Sequence, residues 1–207
     1  MKNRFYISII VLVITLLSCQ DQKRVEQSET EYKDGIVLLN GENFSGIVYE
    51  NYEDGKLKNE WTFVEGKQEG MYISHYENGQ INEQITWEKG LRSGPYEKYY
   101  DNGQLEIKAS HKANEKDGHF ETYYNNGQIW RKGSYDNGNL DGTIEEYFNN
   151  GELKELITYG NGKKEGPIEQ YFENGQLMIT GYYKNDQKDG TFEVYEENGT
   201  LKEQVNY

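Results

Sequence analysis

From about residue 46 to the C-terminus, apolar and polar side chains alternate with a period of two, interrupted at regular intervals by glycine-centred turns. That period belongs to a half-buried β-strand, and no helical period competes with it. Glycine recurs at Gly46, Gly70, Gly94, Gly118, Gly142, Gly166 and Gly190, and again at Gly55, Gly79, Gly103, Gly127, Gly151, Gly175 and Gly199. Both series step by 24 residues without insertion or deletion. Self-similarity of this kind predicts an array of stacked units, whose fold follows from one unit and its neighbours.

Each unit reads as two strands joined by tight turns. The first turn is Asp54-Gly55 and then Asn-Gly at Asn78, Asn102, Asn126, Asn150, Asn174 and Asn198. Such a pair between alternating apolar residues signals a hairpin, read as a two-residue turn with positive φ at both positions. The second turn is read as starting at Gly66, Gly90, Asn114, Gly138, Gly162 and Asp186, residue types that tolerate the left-handed region. Pro95 and Pro167 each follow a repeat glycine, at a strand start where a missing N–H is tolerated. The expected fold is all-β: a single-layer antiparallel β-meander of seven 24-residue hairpin repeats over residues 32–207. Fourteen strands spaced at ~4.8 Å would make it roughly 65 Å long.

Turn geometry sets register, and register sorts side chains into rows. Val48 is expected opposite Trp61, Tyr52 opposite Leu57, Gly46 opposite Phe63, and Phe63 next opposite Gly70. Three rows then share one face. The row nearest the Asn-Gly turns alternates rings with Leu or Ile, as in Tyr52, Leu57, Tyr76, Ile81 and Tyr100. The middle row holds Trp61, Tyr72, Ile85, Tyr96, Phe120, Ile144, Ile157, Ile168 and Phe192. The third sets Phe63, Trp87, Tyr135, Tyr159, Tyr183 and Tyr207 beside glycines, an arrangement expected to roof each bare Cα with a ring. The opposite face is polar, with Glu97, Glu121, Glu145, Glu169, Glu193 and the tyrosines Tyr99, Tyr123, Tyr147, Tyr171 and Tyr195. Trp130 falls on that polar face, where an exposed tryptophan reads as a contact residue. An added strand at Ile36–Leu39 is expected to continue the sheet, with Val37 beside Val48 and Leu39 beside Gly46.

The N-terminus reads differently. Lys2 and Arg4 precede an apolar run, Phe5 to Leu17, too short to span a bilayer comfortably. It ends in Leu16-Leu17-Ser18-Cys19, which resembles a bacterial lipobox and identifies residues 1–18 as a lipoprotein signal peptide. That resemblance implies acylation of Cys19, the only cysteine. Residues 19–31 then read as a flexible polar tether. The expected location is exported and lipid-anchored to the cell membrane or outer membrane. Loss of residues 1–18 removes Lys2 and Arg4 and no acid, so the net charge of −14 becomes −16. Such a charge disfavours nucleic acid and anionic headgroups and suits a basic protein partner.

Catalytic signatures are absent from the pattern. The three histidines, His75, His111 and His119, lie in different repeats, and His111 occupies a ring position of the third row. No Cys/His metal spacing, nucleophile elbow or phosphate loop occurs. Glu145-Glu146 and Glu196-Glu197 point to opposite faces of their strands and cannot share a proton. No enzyme, cofactor or metal is expected. The aromatic face is the one candidate site, with Trp61, Trp87, Trp130, Tyr72, Tyr96 and Phe120 as its candidate binding residues. Those rings serve either as core, if the sheet covers its own face, or as an open groove for a partner.

The unit G-x-φ-x-x-Y-Y-x-N-G-Q-L resembles the MORN repeat, and most closely the bacterial variant with Tyr-x-Asn-Gly, as at Tyr100-Asp101-Asn102-Gly103 and Tyr124-Asn125-Asn126-Gly127. The resemblance covers about Gly46 to Tyr207. It implies a non-enzymatic interaction module and carries the label of the YwqK-type antitoxin family, the antidote half of a toxin–antitoxin pair. An exported chain fits a cytoplasmic antidote awkwardly. Eukaryotic relatives associate with phosphoinositide membranes, which the acidic charge here opposes. The reading is a protein-interaction repeat module at the cell envelope. The alternatives are a cell-wall or carbohydrate-binding module and an immunity protein that neutralises a basic toxin.

Overall fold

The computed structural model describes residues 22–207; the signal-peptide reading, Cys19 and the first tether residues fall outside them. Eighteen strand segments form one sheet. Successive segments pair antiparallel, each with the next, from Gly46–Asn51 through to Leu201–Asn206. Three strands are split near a repeat glycine, as Glu115–Lys116 and Gly118–Tyr123 are, so the antiparallel strands number fourteen, as the repeat predicts.

The two turns exchange roles relative to the sequence reading. At Asp54-Gly55 only the glycine has positive φ, +84°. Gly55 N–H closes a turn on Tyr52 O at 2.9 Å, and Tyr52 N–H bonds Lys56 O at 2.8 Å. This is a three-residue loop with a left-handed glycine at its end. The residue before that glycine serves through its side chain: Asn78 Oδ1 accepts from Gln80 N–H at 2.9 Å, and Asn102, Asn126, Asn150, Asn174 and Asn198 repeat the bond. The second turn is the true two-residue one, with both central φ values positive: Glu65 and Gly66 at 51° and 79°, Asn137 and Gly138 at 45° and 82°. It begins one residue earlier than expected.

Both corrections are absorbed by bulges. Glu50 lies opposite Asn59 but Asn51 lies opposite Leu57, so Lys58 is an extra residue and Tyr52 does not face Leu57. Asn82, Glu106, Trp130, Lys154, Met178 and Lys202 occupy the same bulge in later units. At the other end Phe63 pairs with Gln68, not Gly70, and the register recovers at Trp61 and Tyr72. The repeat glycine sits in that second bulge, and all seven have positive φ, from 74° at Gly190 to 147° at Gly46. The middle of each pair keeps the predicted register: Val48 opposite Trp61, Tyr72 opposite Ile85, Ile144 opposite Ile157.

The expected roofing of these glycines by third-row rings is not what the backbone needs. A Cβ added at Gly118 would meet Ser110 Oγ at 3.0 Å, and at Gly142 or Gly190 nothing within 4 Å. Positive φ is what demands glycine there. Roofing occurs instead in the middle row. At Gly133 an added Cβ would run into Ile144 Cδ1 and Phe120 Cε1, and at Gly181 into Phe192 Cδ1 at 2.5 Å.

The N-terminal end also departs from expectation. Ile36–Leu39 pairs with Glu31–Lys33 and Glu42–Asn43 in a separate three-stranded sheet. The edge position it was expected to fill is taken by Arg24–Glu26, which runs parallel to the first strand with Val25 opposite Val48. The tether is therefore folded from Arg24 onward. Val25, its one aliphatic side chain, is buried with Val37, Phe44, Val48 and Phe63 against Leu39 and Trp61. The cap covers the first edge of the array, which would otherwise expose unpaired backbone.

Between units, turn stacks on turn. Tyr52, Tyr76, Tyr100 and Tyr124 each donate a hydroxyl to the carbonyl 23 residues on, at 2.6–2.8 Å. Asn78 Nδ2 reaches Asp101 O at 2.7 Å and Asn102 Nδ2 reaches Asn125 O at 3.2 Å. Asp54 has no amide to donate, and Lys56 Nζ bonds Glu77 O in its place at 3.0 Å. On the polar face Tyr99, Tyr123, Tyr147, Tyr171 and Tyr195 donate to Glu97, Glu121, Glu145, Glu169 and Glu193. Burial and the neighbouring carboxylate push the Tyr99 and Tyr123 phenols up to about 12. Among the described residues, no second layer covers the apolar face of the later units. Phe120, Ile144, Ile157, Ile168 and Phe192 are buried beneath Tyr135, Tyr159, Tyr183, Leu140 and Ile179 from the flanking rows.

Candidate partner-binding groove

The middle row does not stay filled along its whole length. Ala109 pairs with Tyr96 at the step that Trp61, Ile85 and Ile157 hold in three other units and that Gly133 and Gly181, covered by Phe120, Ile144 and Phe192, hold in two. The missing side-chain volume opens a groove of about 440 Å³, within the size range of ordinary ligand sites. Its floor is Tyr72, Ile85, Tyr96, Ala109 and Phe120. Trp87, His111 and Tyr135 line the side toward the two-residue turns, and Glu83, Ile107, Arg131 and Trp130 the side toward the Asn-Gly turns.

Of the six candidate residues, the groove gathers Trp87, Trp130, Tyr72, Tyr96 and Phe120. Trp61 is drawn off into the N-terminal cap, stacked on Tyr72 with ring centroids 5.6 Å apart. Trp130 is corrected from the polar to the aromatic face. As the extra residue of a bulge it shares a side with Arg131, which a strict period of two cannot show. It lies 6.2 Å from the Tyr124 ring and is 44% exposed.

Three cations accompany the rings. Arg92 lies over Trp87 at 5.7 Å, Lys116 over Tyr135 at 5.0 Å, and Arg131 over Phe120 at 5.9 Å. His111 packs edge-on to Tyr96 at 5.6 Å, as a ring substitute would. Burial lowers the His111 pKa, and Arg92 and Lys116 lower it further. Burial, then the Glu83 carboxylate, pushes the Tyr96 phenol up to about 12. Rings and cations thus form a surface suited to stacking and charge pairing.

A second depression, of about 540 Å³, lies against Phe148, Phe172 and Met178 near the Asn-Gly turns. Its charges are mainly acidic, with Glu146, Glu155 and Glu173 beside Lys154.

The family described as MORN repeat variant matches the chain seven times, over residues 44–65, 68–89, 92–113, 116–137, 140–161, 164–185 and 188–207. The chain belongs to that family. Each of the first six matched MORN segments runs from just before a repeat glycine to the following two-residue turn, so the family unit and the structural hairpin coincide. No curated protein matches the chain.

Within the MORN array the groove depends on residues the sequence reading passed over. Ala109 shares its column with Trp61, Ile85 and Ile157 but also with Gly133 and Gly181, so its size alone does not mark it. The groove appears because Phe120, Ile144 and Phe192 cover the two glycines and, among the described residues, nothing comparable covers Ala109. The column of Arg92, Lys116, Lys164 and Lys188, at multiples of the repeat step, was legible. That the column faces the rings was not, because the second bulge sets it opposite Trp87, His111, Tyr159 and Tyr183.

Proposed function

We propose that this chain is a non-enzymatic interaction module that grips a protein partner in the groove between Tyr72 and Tyr135, held at the bacterial cell envelope by a lipid on Cys19. MORN repeats generally serve as protein- or membrane-interaction modules. The observation that carries the reading is the convergence of five candidate rings on the groove over Ala109, a small middle-row residue that neighbouring side chains leave open where they cover Gly133 and Gly181. An exposed tryptophan at such a rim, Trp130, is the residue type that dominates protein interfaces.

The test is photocrosslinking in intact cells from a crosslinking residue at position 130. A captured protein, lost when Ala109→Leu fills the floor, supports the reading. Capture of cell-wall polysaccharide, or of the same protein at equal yield from the Ala109→Leu chain, overturns it. Cys19→Ala is expected to release the protein from the membrane fraction, and its retention there would sink the lipid anchor. The acidic depression at Phe148 and Phe172 favours a second reading, an immunity protein for a basic toxin. Protection of cells against a toxin encoded beside the gene would establish that one.

A further inference from the structure

The chain carries 36 acidic residues against 22 basic ones, so its overall charge selects for a basic partner. The groove is built the other way. Arg92, Lys116 and Arg131 line it, and Glu83 is the only acid in its lining among the described residues. None of the three cations lies within ion-pair distance of a carboxylate among those residues. Each is held over a ring instead. A guanidinium stacked by its face keeps its N–H edges free, and those edges match a carboxylate in bidentate fashion.

The surrounding electrostatics agree. His111 lies between Arg92 and Lys116, and burial first, then those two cations, lower its pKa. Grouping unpaired like charges around an apolar floor costs stability unless something anionic completes the set. The floor itself, over Ala109, takes an apolar side chain. The net negative charge of the chain opposes close approach to an anionic bilayer surface, whereas a polypeptide segment has only the groove to meet.

Resting on the groove as the partner site, we propose that its occupant is a partner polypeptide segment in which acidic residues flank an apolar anchor. The anchor enters over Ala109, and the flanking carboxylates pair with Arg92, Lys116 and Arg131. Global charge then governs solubility and encounter, while the groove selects a segment of opposite sign.

The test is selection of a random peptide library on the purified chain, with the enriched peptides measured by quenching of tryptophan fluorescence. Acidic residues around an aromatic or aliphatic centre are expected to be enriched. Arg92→Gln and Arg131→Gln should each weaken such peptides about fivefold, and Ala109→Leu should abolish binding. The open volume over Ala109 has room for a leucine side chain of the size that Ile85 and Ile157 place at equivalent steps, and a circular dichroism melt checks the fold. Enrichment of basic or uncharged peptides that Ala109→Leu still abolishes overturns the proposed charge and leaves the groove as the site. Peptides indifferent to Ala109→Leu, no enrichment at all, or binding of phosphatidylglycerol vesicles that Ala109→Leu abolishes overturn both.

Discussion

Gly118 has φ +88°, and a methyl added to it would find only Ser110 Oγ close by. Gly133 lacks a positive φ, yet an added methyl would collide with Ile144 and Phe120. The two glycines should therefore respond to different second changes. Gly118→Ala is expected to cost about 1–2 kcal/mol from the left-handed backbone alone. The loss should be the same in a Tyr135→Ala background, since the ring opposite is not what the glycine accommodates. Gly133→Ala is expected to cost about 1–3 kcal/mol by overpacking, and Ile144→Val, which removes the clashing Cδ1, should recover part of it. Urea unfolding of the single and double variants decides both. Coupling between Gly118 and Tyr135 would restore the roofing account. His111 gives a second residue-scale test. Burial, Arg92 and Lys116 hold its native pKa below the unfolded value of about 6.5. The unfolded chain thus binds the proton more readily, and stability contributed at neutral pH is lost as pH falls through and below that value. Glu50 and Glu121, lowered chiefly by Lys58 and Tyr123 respectively, stay ionised until more acid conditions. The drop in urea midpoint between pH 7.5 and 5.5 should shrink in His111→Phe; an unchanged drop would refute this.

At the scale of the hairpin, hydrogen bonds between successive units separate tyrosine from phenylalanine. Tyr100→Phe removes the bond to Tyr123 O and leaves that carbonyl short of a partner, at about 1 kcal/mol. Phe148→Tyr, in one of the two units that carry phenylalanine at this position, should move the melting temperature the other way. Asn102→Asp keeps the acceptor that fixes the turn and loses the amide donor to Asn125 O. It should therefore cost less than Asn102→Ala, which loses both, and the two melts measured together test that order. These elements also show what a sequence can and cannot disclose. The repeat, the strand count and the central register were legible, because glycine spacing and the period of two survive every unit. The bulges were not. An extra residue at Lys58 or Trp130 is absorbed by a loop longer than assumed, so the row beyond it falls in line either way. The parallel strand at Arg24–Glu26 has one apolar residue and no periodicity to announce it. Its existence follows from Val25 finding Val48, a contact between distant parts of the chain.

Across the whole molecule, units touch only their neighbours, so stability and binding should be separable by removing units. Deleting residues 142–165 joins Asp141 to Gly166 in phase, which lets Ile168 take the place of Ile144 over Gly133. The groove, whose lining ends at Tyr135, is untouched. Deleting residues 94–117 joins Ser93 to Gly118 equally in phase but takes Tyr96, Ala109, His111 and Lys116 with it. Both shortened chains keep the N-terminal cap on Val48 and Phe63. Both should fold to β-rich proteins that unfold in one cooperative step at a lower urea concentration than the full array. Only the first should still deliver a crosslink from position 130 to its partner. A partner captured equally by both would mean that the array binds through a surface shared by all units, such as the tyrosine–glutamate rows of the polar face, and not through the gap that Ala109 leaves.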